Sequence, residues 1–246
     1  MLRKSISHNR LRGAIVFLSL LLAFSAAAEW PESQRSKKAV QQWSPILHSS
    51  LQSKKMQLGA PLFIRIFKQE AELEVWMQAA GGQFELYKKF PICTFSGALG
   101  PKQKEGDWQS PEGFYFVNAG RLNPWSRFHL SFNLGYPNAY DRFYARTGSA
   151  LMVHGDCVSI GCYAMTDQGI EEIYTLVQKA LQQGQAFIRV HAFPFRMTDS
   201  NMQQHKKSKW QPFWQNLKQG YDWFEKRKQP PNVEHVNGSY VFDAGL

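Results

Sequence analysis

The stretch His154-Gly155-Asp156-Cys157-Val158-Ser159-Ile160-Gly161-Cys162-Tyr163-Ala164-Met165 sets both the fold and the chemistry of this chain. An apolar run ends at His154, and a helical pattern begins after Met165. A thiol is a nucleophile only as the thiolate, so a reactive cysteine needs a base or a positive field. His154 is the nearest titratable candidate in the sequence. A histidine that ends a strand and faces Cys162 across a tight loop predicts a cysteine–histidine dyad.

Glycines flank both members of this predicted dyad. Gly161 precedes the cysteine and would let backbone N–H groups approach a developing oxyanion. Metal binding by His154, Asp156, Cys157 and Cys162 is the alternative interpretation. The ligand types are suitable, but their spacings match no common zinc pattern. We therefore expect no metal and no cofactor.

Strand patterns lie upstream of this stretch, and one helix pattern lies downstream. The strand-like runs are 62–67, 73–77, 84–87, 113–117 and 128–132. The helix has one apolar stripe, formed by Ile170, Ile173, Tyr174, Val177 and Leu181. Thr166 or Asp167 can cap its start, Gly184 fits its end, and 186–190 is strand-like. The pattern predicts a mainly β domain with one central helix and α appendages.

The flanking segments have a different character. Residues 29–58 are polar with scattered apolar positions, which favours a linker or loose helical arm. The core domain is predicted over 59–197, and a helical C-terminal extension over 198–246. Pro212 suits the first turn of a helix in this extension, and we expect Gly220 to break that helix. Asn237-Gly238, between strand-like flanks, predicts a terminal hairpin.

The N-terminus has the pattern of a secretory signal peptide over residues 1–28. Four basic residues precede an apolar stretch, 14–24, that is short for a membrane span. Ala26 and Ala28 occupy the small-residue positions of a cleavage site. An uncleaved membrane anchor is the alternative. We expect export to the periplasm, and no stable membrane insertion after the signal has been cleaved.

The charge of the chain narrows the choice of partners. The 29 Lys and Arg residues exceed the 19 Asp and Glu residues, which gives a net charge of +10. Four of the basic residues lie in the predicted signal, so the chain after it carries +6. This balance suits a negatively charged cell wall or membrane surface. We expect no nucleic-acid partner, because an exported chain with no recognisable binding motif is poorly suited to one.

Three cysteines are an informative number for an exported protein. Disulfides persist in oxidising compartments, and an odd count leaves at least one thiol unpaired. A Cys93–Cys157 pair would leave Cys162 free. Alternatively, Cys93 and Cys157 are small buried apolar side chains.

Three motifs together resemble the L,D-transpeptidase (YkuD-type) catalytic domain family. His154-Gly155 and Ser159-Ile160-Gly161-Cys162 match its central signature. Upstream, the matching segments are Gly100-Pro101-Lys102 through Ser110-Pro111-Glu112-Gly113-Phe114-Tyr115, and Leu134 through Asp141. The motifs keep the order that they have in the family and cover roughly residues 60–195.

The resemblance implies a β-rich catalytic domain with the cysteine in a cleft. It further implies that Cys162 attacks a peptide carbonyl at a diaminopimelate residue and forms a thioester. His154 would move the protons, and backbone amides near Gly161 and Cys162 would hold the oxyanion. Ser159 would support the dyad by hydrogen bonding, while Gly155 and Tyr163 are candidates for substrate contact.

Two departures from the family pattern point to one subgroup. Most members carry arginine two residues after the cysteine, where this chain has Ala164, and the loop from His154 to Cys162 is shorter than usual. With the closing segment 194–198, these features resemble the subgroup of peptidoglycan meso-diaminopimelic acid protein amidases. Arg196 would replace the missing arginine at the substrate.

The resemblance to this subgroup implies hydrolysis of the amide that joins diaminopimelate to the lysine of a covalently attached outer-membrane protein. Peptidoglycan and that attached protein would be the partners. One alternative is an L,D-transpeptidase that forms diaminopimelate cross-links or attaches proteins to the wall. A second alternative, from a different class, is a non-catalytic wall-binding module.

Overall fold

The computed structural model of the chain describes residues 30–243. The predicted signal peptide lies outside these residues. Within 30–243, no helix is both long enough and apolar enough to cross a bilayer.

Twelve strands form three sheets in the described part of the chain. The strands are β1 (Leu62–Phe67), β2 (Glu72–Gln78), β3 (Phe84–Pro91), β4 (Thr94–Phe95), β5 (Gly113–Val117), β6 (Leu122–Asn123), β7 (Ser131–Asn133), β8 (Met152–His154), β9 (Tyr163–Ala164), β10 (Ile188–Phe193), β11 (Val233–Val236) and β12 (Ser239–Phe242). The first sheet has the order β3-β2-β1-β10-β5, and the second has the order β4-β9-β8-β7-β6. Strands β11 and β12 pair as the predicted terminal hairpin.

Within residues 30–243, five α-helices accompany the sheets: α1 (Gln34–Ser53), α2 (Ala139–Phe143), α3 (Asp167–Gln182), α4 (Asp199–Gln204) and α5 (Gln211–Arg227). Helix α3 is the predicted central helix, and its N-cap is Thr166, whose side chain accepts the N–H of Gly169. Gly184 has a φ of +100°, as expected just past a helix end. The prediction of a mainly β domain with a central helix, a helical extension and a hairpin is confirmed.

Helix α1 occupies the segment that was expected to be a linker or loose helical arm. Its apolar positions are one turn apart, so Trp43, Leu47 and Leu51 share one buried face. That face packs against α3 and joins the main core. Periodic apolar residues thus make 34–53 part of the packed core.

Helix α5 does not break at Gly220, contrary to the sequence-based expectation. It continues from Gln211 to Arg227, with a proline in its first turn. A Cβ atom at Gly220 would lie 2.4 Å from the ring of Phe242 and 2.7 Å from that of Phe114. This glycine therefore permits close packing of α5 against the hairpin and β5.

One large apolar cluster contains side chains from both five-stranded sheets, α1 and α3. A second cluster lies beneath the C-terminal extension and includes Phe67, Phe193 and Trp214. This packing fixes the positions of β8 and β9, which are parallel neighbours in the second sheet. The ends of these two strands carry the candidate site.

Candidate active site

His154 and Cys162 lie on adjacent parallel strands and share one cavity. His154 is the last residue of β8, and Cys162 directly precedes β9, in a register that pairs Val153 with Tyr163. The N–H of Met152 points to Cys162 Sγ at 3.4 Å. Both side chains line a cavity of about 690 Å³. The structure therefore brings the two predicted members of the dyad together.

The imidazole of His154 is buried and held by its own loop. Its Nδ1 lies 2.6 Å from the carbonyl oxygen of Gly155. Because a carbonyl only accepts hydrogen bonds, Nδ1 carries the proton and Nε2 is left as the base. Burial lowers the pKa of His154 below its usual value, which favours the neutral ring. The ring of Phe128, centred 4.8 Å away, covers it.

The thiol of Cys162 is half-buried and neutral at rest. Burial raises its pKa, while the Met152 N–H and the positive charge of Lys102 act in the opposite direction. Sγ lies 3.6 Å from the carbonyl oxygen of Ala150, so the thiol points to that carbonyl in this structure. The pair at rest is therefore a neutral thiol and a neutral imidazole.

Side-chain hydroxyls hold the turn that carries Cys162. Ser159 Oγ lies 2.8 Å from the carbonyl oxygen of Cys162 and 3.1 Å from the N–H of Gly161. Ser110 Oγ lies 2.9 Å from the same carbonyl. Since Ser159 engages the Gly161 N–H, that amide is not free to hold an oxyanion in this arrangement. The Cys162 N–H is the remaining candidate from the predicted pair.

A disulfide joins Cys93 to Cys157, with the Cα atoms 5.1 Å apart. This pairing is one of the two alternatives that the sequence left open. It leaves Cys162 as the free cysteine of the described chain. The bridge also ties the loop between His154 and Cys162 to the short connection between β3 and β4.

The mouth of the cavity carries several aromatic side chains, and its lining has few charged groups. Exposed aromatic side chains of Trp108, Trp125 and Phe128 lie around its mouth. Its ionised lining groups are Lys102, Arg127 and Glu105, of which only Lys102 is buried. Such a cleft can enclose a peptide of moderate size and hold it against the thiol.

Three residues predicted to contact substrate lie away from this cavity wall. Gly155 is packed so closely that a Cβ there would lie 2.5 Å from Asp167 Oδ1. Tyr163 is fully buried, and its hydroxyl donates to the carbonyl oxygen of Pro111 at 2.5 Å. Arg196 forms ion pairs with Glu72 and Glu74 beside the first sheet. Close packing accounts for Gly155 and Tyr163, and ion pairing accounts for Arg196. None of the three residues supplies the cavity with a charge.

Sequence reasoning missed two contributors to the site. Ser110 supports the Cys162 carbonyl, and Lys102 enters the cavity wall. Both belong to the upstream motif that runs from Gly100 to Tyr115, so their order in the chain was the available signal. Their side-chain directions depend on contacts that no local pattern encodes.

Comparisons with known proteins show the family of the chain. The model of the L,D-transpeptidase catalytic domain, YkuD, matches residues 64–182. The chain is 51% identical over 197 residues, 80% of each chain, to the Escherichia coli (strain K12) protein named "Putative L,D-transpeptidase YafK". The solved structure of the helical cell shape determining protein Pgp2 from Campylobacter jejuni aligns at 17% identity with a TM-score of 0.43, over 77% of this chain and 80% of that one. By the identity and coverage of the first relative, the chain belongs to the YkuD family of L,D-transpeptidase catalytic domains, whose members act on cell-wall peptidoglycan.

Proposed function

We propose that this protein is a periplasmic cysteine amidase that releases a covalently attached outer-membrane protein from peptidoglycan. The scissile bond is the amide between diaminopimelate and the lysine of the attached protein. The observation that carries the proposal is the placement of Cys162 and His154 on one cavity, with Ala164 two residues after the cysteine, where the resemblance to the family leads us to expect arginine.

In the acylation step, Cys162 Sγ attacks the carbonyl carbon of the amide. The thiol proton moves to His154 Nε2, the nitrogen opposite the one bound by the Gly155 carbonyl. The tetrahedral intermediate carries its negative charge on oxygen, near the Cys162 N–H. Its collapse breaks the carbon–nitrogen bond. His154 returns the proton to the departing lysine amine, and a thioester remains on Cys162.

In the deacylation step, water replaces the amine. His154 Nε2 accepts a proton from the water as its oxygen attacks the thioester carbonyl. As the carbon–sulfur bond breaks, His154 gives that proton to Sγ, which restores the thiol and leaves diaminopimelate with a free carboxyl group. The raised pKa of Cys162 suits this cycle, because the thiol needs the base at the moment of attack.

Transpeptidation is the second candidate function. It shares the thioester, but an amine of another peptide stem or of a protein replaces the water. Membership of the family and the 51% identical relative named as a transpeptidase favour it. The two functions diverge only in the acceptor that resolves the thioester.

A sacculus-release assay separates these functions. The purified protein would be incubated with sacculi that carry a covalently attached protein, and the freed protein would be quantified. Amidase activity predicts release by the wild type, and none by Cys162→Ala or by protein alkylated with iodoacetamide. No release by intact, reduced protein would contradict the proposal.

Mass spectrometry of the muropeptides would identify the acceptor. New cross-linked dimers would support the transpeptidase, whereas loss of lysine-containing remnants alone would support the amidase. Complementation by Cys162→Ala with full biological activity would instead indicate a non-catalytic wall-binding module.

A further inference from the structure

We propose that Lys102 is the cationic anchor that holds a free carboxylate of the substrate beside Cys162. In the terms of the proposed function, which this inference deepens, the ligand group is the carboxylate of diaminopimelate that is not part of the scissile amide. Lys102 would act as a specificity-determining residue.

Lys102 lies inside the cavity that contains the thiol. Lys102 is 4% exposed, yet it lines the same cavity as Cys162 and His154. The other charged groups of the lining, Arg127 and Glu105, are exposed at the rim. His154 is neutral, so Lys102 supplies the positive charge of the cavity interior. Its charge also favours the thiolate of Cys162.

The side chain of Lys102 is held in position by its neighbours. A Cβ at Gly148, whose φ is +136°, would lie 2.7 Å from Lys102 Cε, so a larger residue there would displace the end of the lysine side chain. Lys102 Nζ contacts Asp107 Oδ1 at 2.5 Å and the carbonyl oxygen of Lys104 at 3.0 Å. An ammonium group has three donors, and these contacts occupy two. The third has no acceptor among the described residues, and the proposed substrate carboxylate would supply one.

The loop that holds the ammonium group is itself fixed by hydrogen bonds. Asp107 also accepts the N–H groups of Gln103, Lys104 and Gln109. These bonds fix the carboxylate before any ligand arrives, and the carboxylate fixes Lys102. A pre-positioned cation loses little conformational entropy when it binds an anion.

Alkylation of Cys162 tests the anchor without any peptidoglycan. Iodoacetate carries a carboxylate, and iodoacetamide is its neutral counterpart, so the ratio of their rates reports on a cation beside the thiol. Any change in thiolate fraction cancels in this ratio. Cys162 is the free thiol, because Cys93 and Cys157 are paired.

The wild type is expected to have a higher iodoacetate-to-iodoacetamide ratio than N-acetylcysteine amide, a thiol with no carboxylate of its own, at equal pH and salt. Lys102→Met should lower that ratio by about tenfold or more, the usual scale for focusing of an anion in a charged cleft. Lys102→Arg should keep it. Lys104→Met is the matched control, because Lys104 is an exposed lysine of the same loop that does not line the cavity.

An equal loss with both reagents in Lys102→Met would show a purely structural ion pair and overturn the proposal. The proposal would also be overturned if Arg127→Met lowered the iodoacetate-to-iodoacetamide ratio and Lys102→Met did not. If Lys102→Met does not fold, the comparison of wild type with N-acetylcysteine amide decides. A ratio that is no higher, or that does not fall with added salt, rejects the anchor.

Substrates with free and amidated diaminopimelate carboxylates give the second readout. The wild type should prefer the free carboxylate through KM, and Lys102→Met should lose that preference. Failure of the amidase function would remove this readout but leave the alkylation ratio intact, so the two proposals fail separately.

Discussion

The hydroxyl of Ser159 bridges the main chain on both sides of the nucleophile, 2.8 Å from the carbonyl oxygen of Cys162 and 3.1 Å from the N–H of Gly161. Ser159→Ala removes both contacts, so the turn that aims the thiol loses its support. We expect kcat to fall by up to about a hundredfold, the cost of a misplacement near 1 Å, with little change in KM.

Steady-state kinetics of the release reaction would measure the effect of Ser159→Ala. Unfolding stability should fall by about 1 kcal/mol. Ser53→Ala is the control, since that exposed hydroxyl bonds only within its own helix end. An unchanged kcat would mean that Ser110 alone positions Cys162.

The protonation states of the dyad predict a pH profile. Burial lowers the pKa of His154 and raises that of Cys162, so a neutral pair persists between the two values. The acid limb of kcat/KM should therefore lie below the usual histidine value of about 6.5. Iodoacetamide labelling of Cys162 should rise through a single inflection above the free-thiol value of about 8.5. A labelling plateau at pH 5–7 would reveal a thiolate–imidazolium pair instead.

The Cys93–Cys157 bridge predicts a large loss of stability in Cys93→Ser/Cys157→Ser. The cysteines are 64 residues apart, and chain entropy for a loop of this size gives about 4 kcal/mol. Urea unfolding of the double variant and of wild type with reductant would measure it. Denatured wild-type protein should take up one alkyl group before reduction and three after it. Uptake of three before reduction would contradict the bridge.

The buried ion pair of Lys68 and Glu112 predicts a different stability effect. Lys68 Nζ lies 3.1 Å from the carboxylate and also contacts three main-chain carbonyls, those of Ala98, Gly100 and Ser110. Lys68→Met leaves the Glu112 charge uncompensated and should destabilise by about 3–5 kcal/mol in urea unfolding.

Two further variants define the cause of that loss. Adding Glu112→Gln to Lys68→Met should recover part of it. Lys37→Met, at an exposed ion pair, should cost under about 1 kcal/mol. Equal losses in the two single lysine variants would argue against a special role for the buried pair.

Gly220 predicts a reversal of normal helix energetics. Gly-to-Ala changes within helices usually stabilise, by roughly 1 kcal/mol. Here the added Cβ would meet the rings of Phe242 and Phe114, so Gly220→Ala should destabilise by about 1–3 kcal/mol. Thermal unfolding would measure this, and Phe242→Ala should reduce the penalty. A stabilised Gly220→Ala would mean that the hairpin moves aside without cost.

Local patterns predicted the elements that depend on local physics. The apolar stripe and cap of α3, and the Asn237-Gly238 turn, specify their structures within a few residues, and both are present as expected. The placement of His154 and Cys162 on one cavity was equally accessible, because the two residues end and precede adjacent strands across a short loop. Their role as a catalytic dyad stays a prediction. The order of the motifs supplied the family.

Long-range contacts decided what the sequence could not show. Gly220 is a helix breaker by propensity but a packing site by virtue of Phe242, which is distant in sequence. Arg196 is a cation near the end of the core, and only the fold reveals Glu72 and Glu74 as its partners. Lys102 lies in the segment Gly100-Pro101-Lys102, yet the position of its side chain depends on Asp107 and Gly148.

The contact between Trp214 and Glu112 makes the catalytic domain depend on the C-terminal extension. Trp214 Nε1, on α5, donates to Glu112 Oε2 at 2.9 Å, while the other oxygen of that carboxylate binds Lys68 near Ser110. Helix α5 follows Cys162 in the chain, so a chain shortened before Gln211 would keep the thiol and lose a hydrogen-bond donor to this buried carboxylate. The extension is therefore a brace for the segment that carries Ser110.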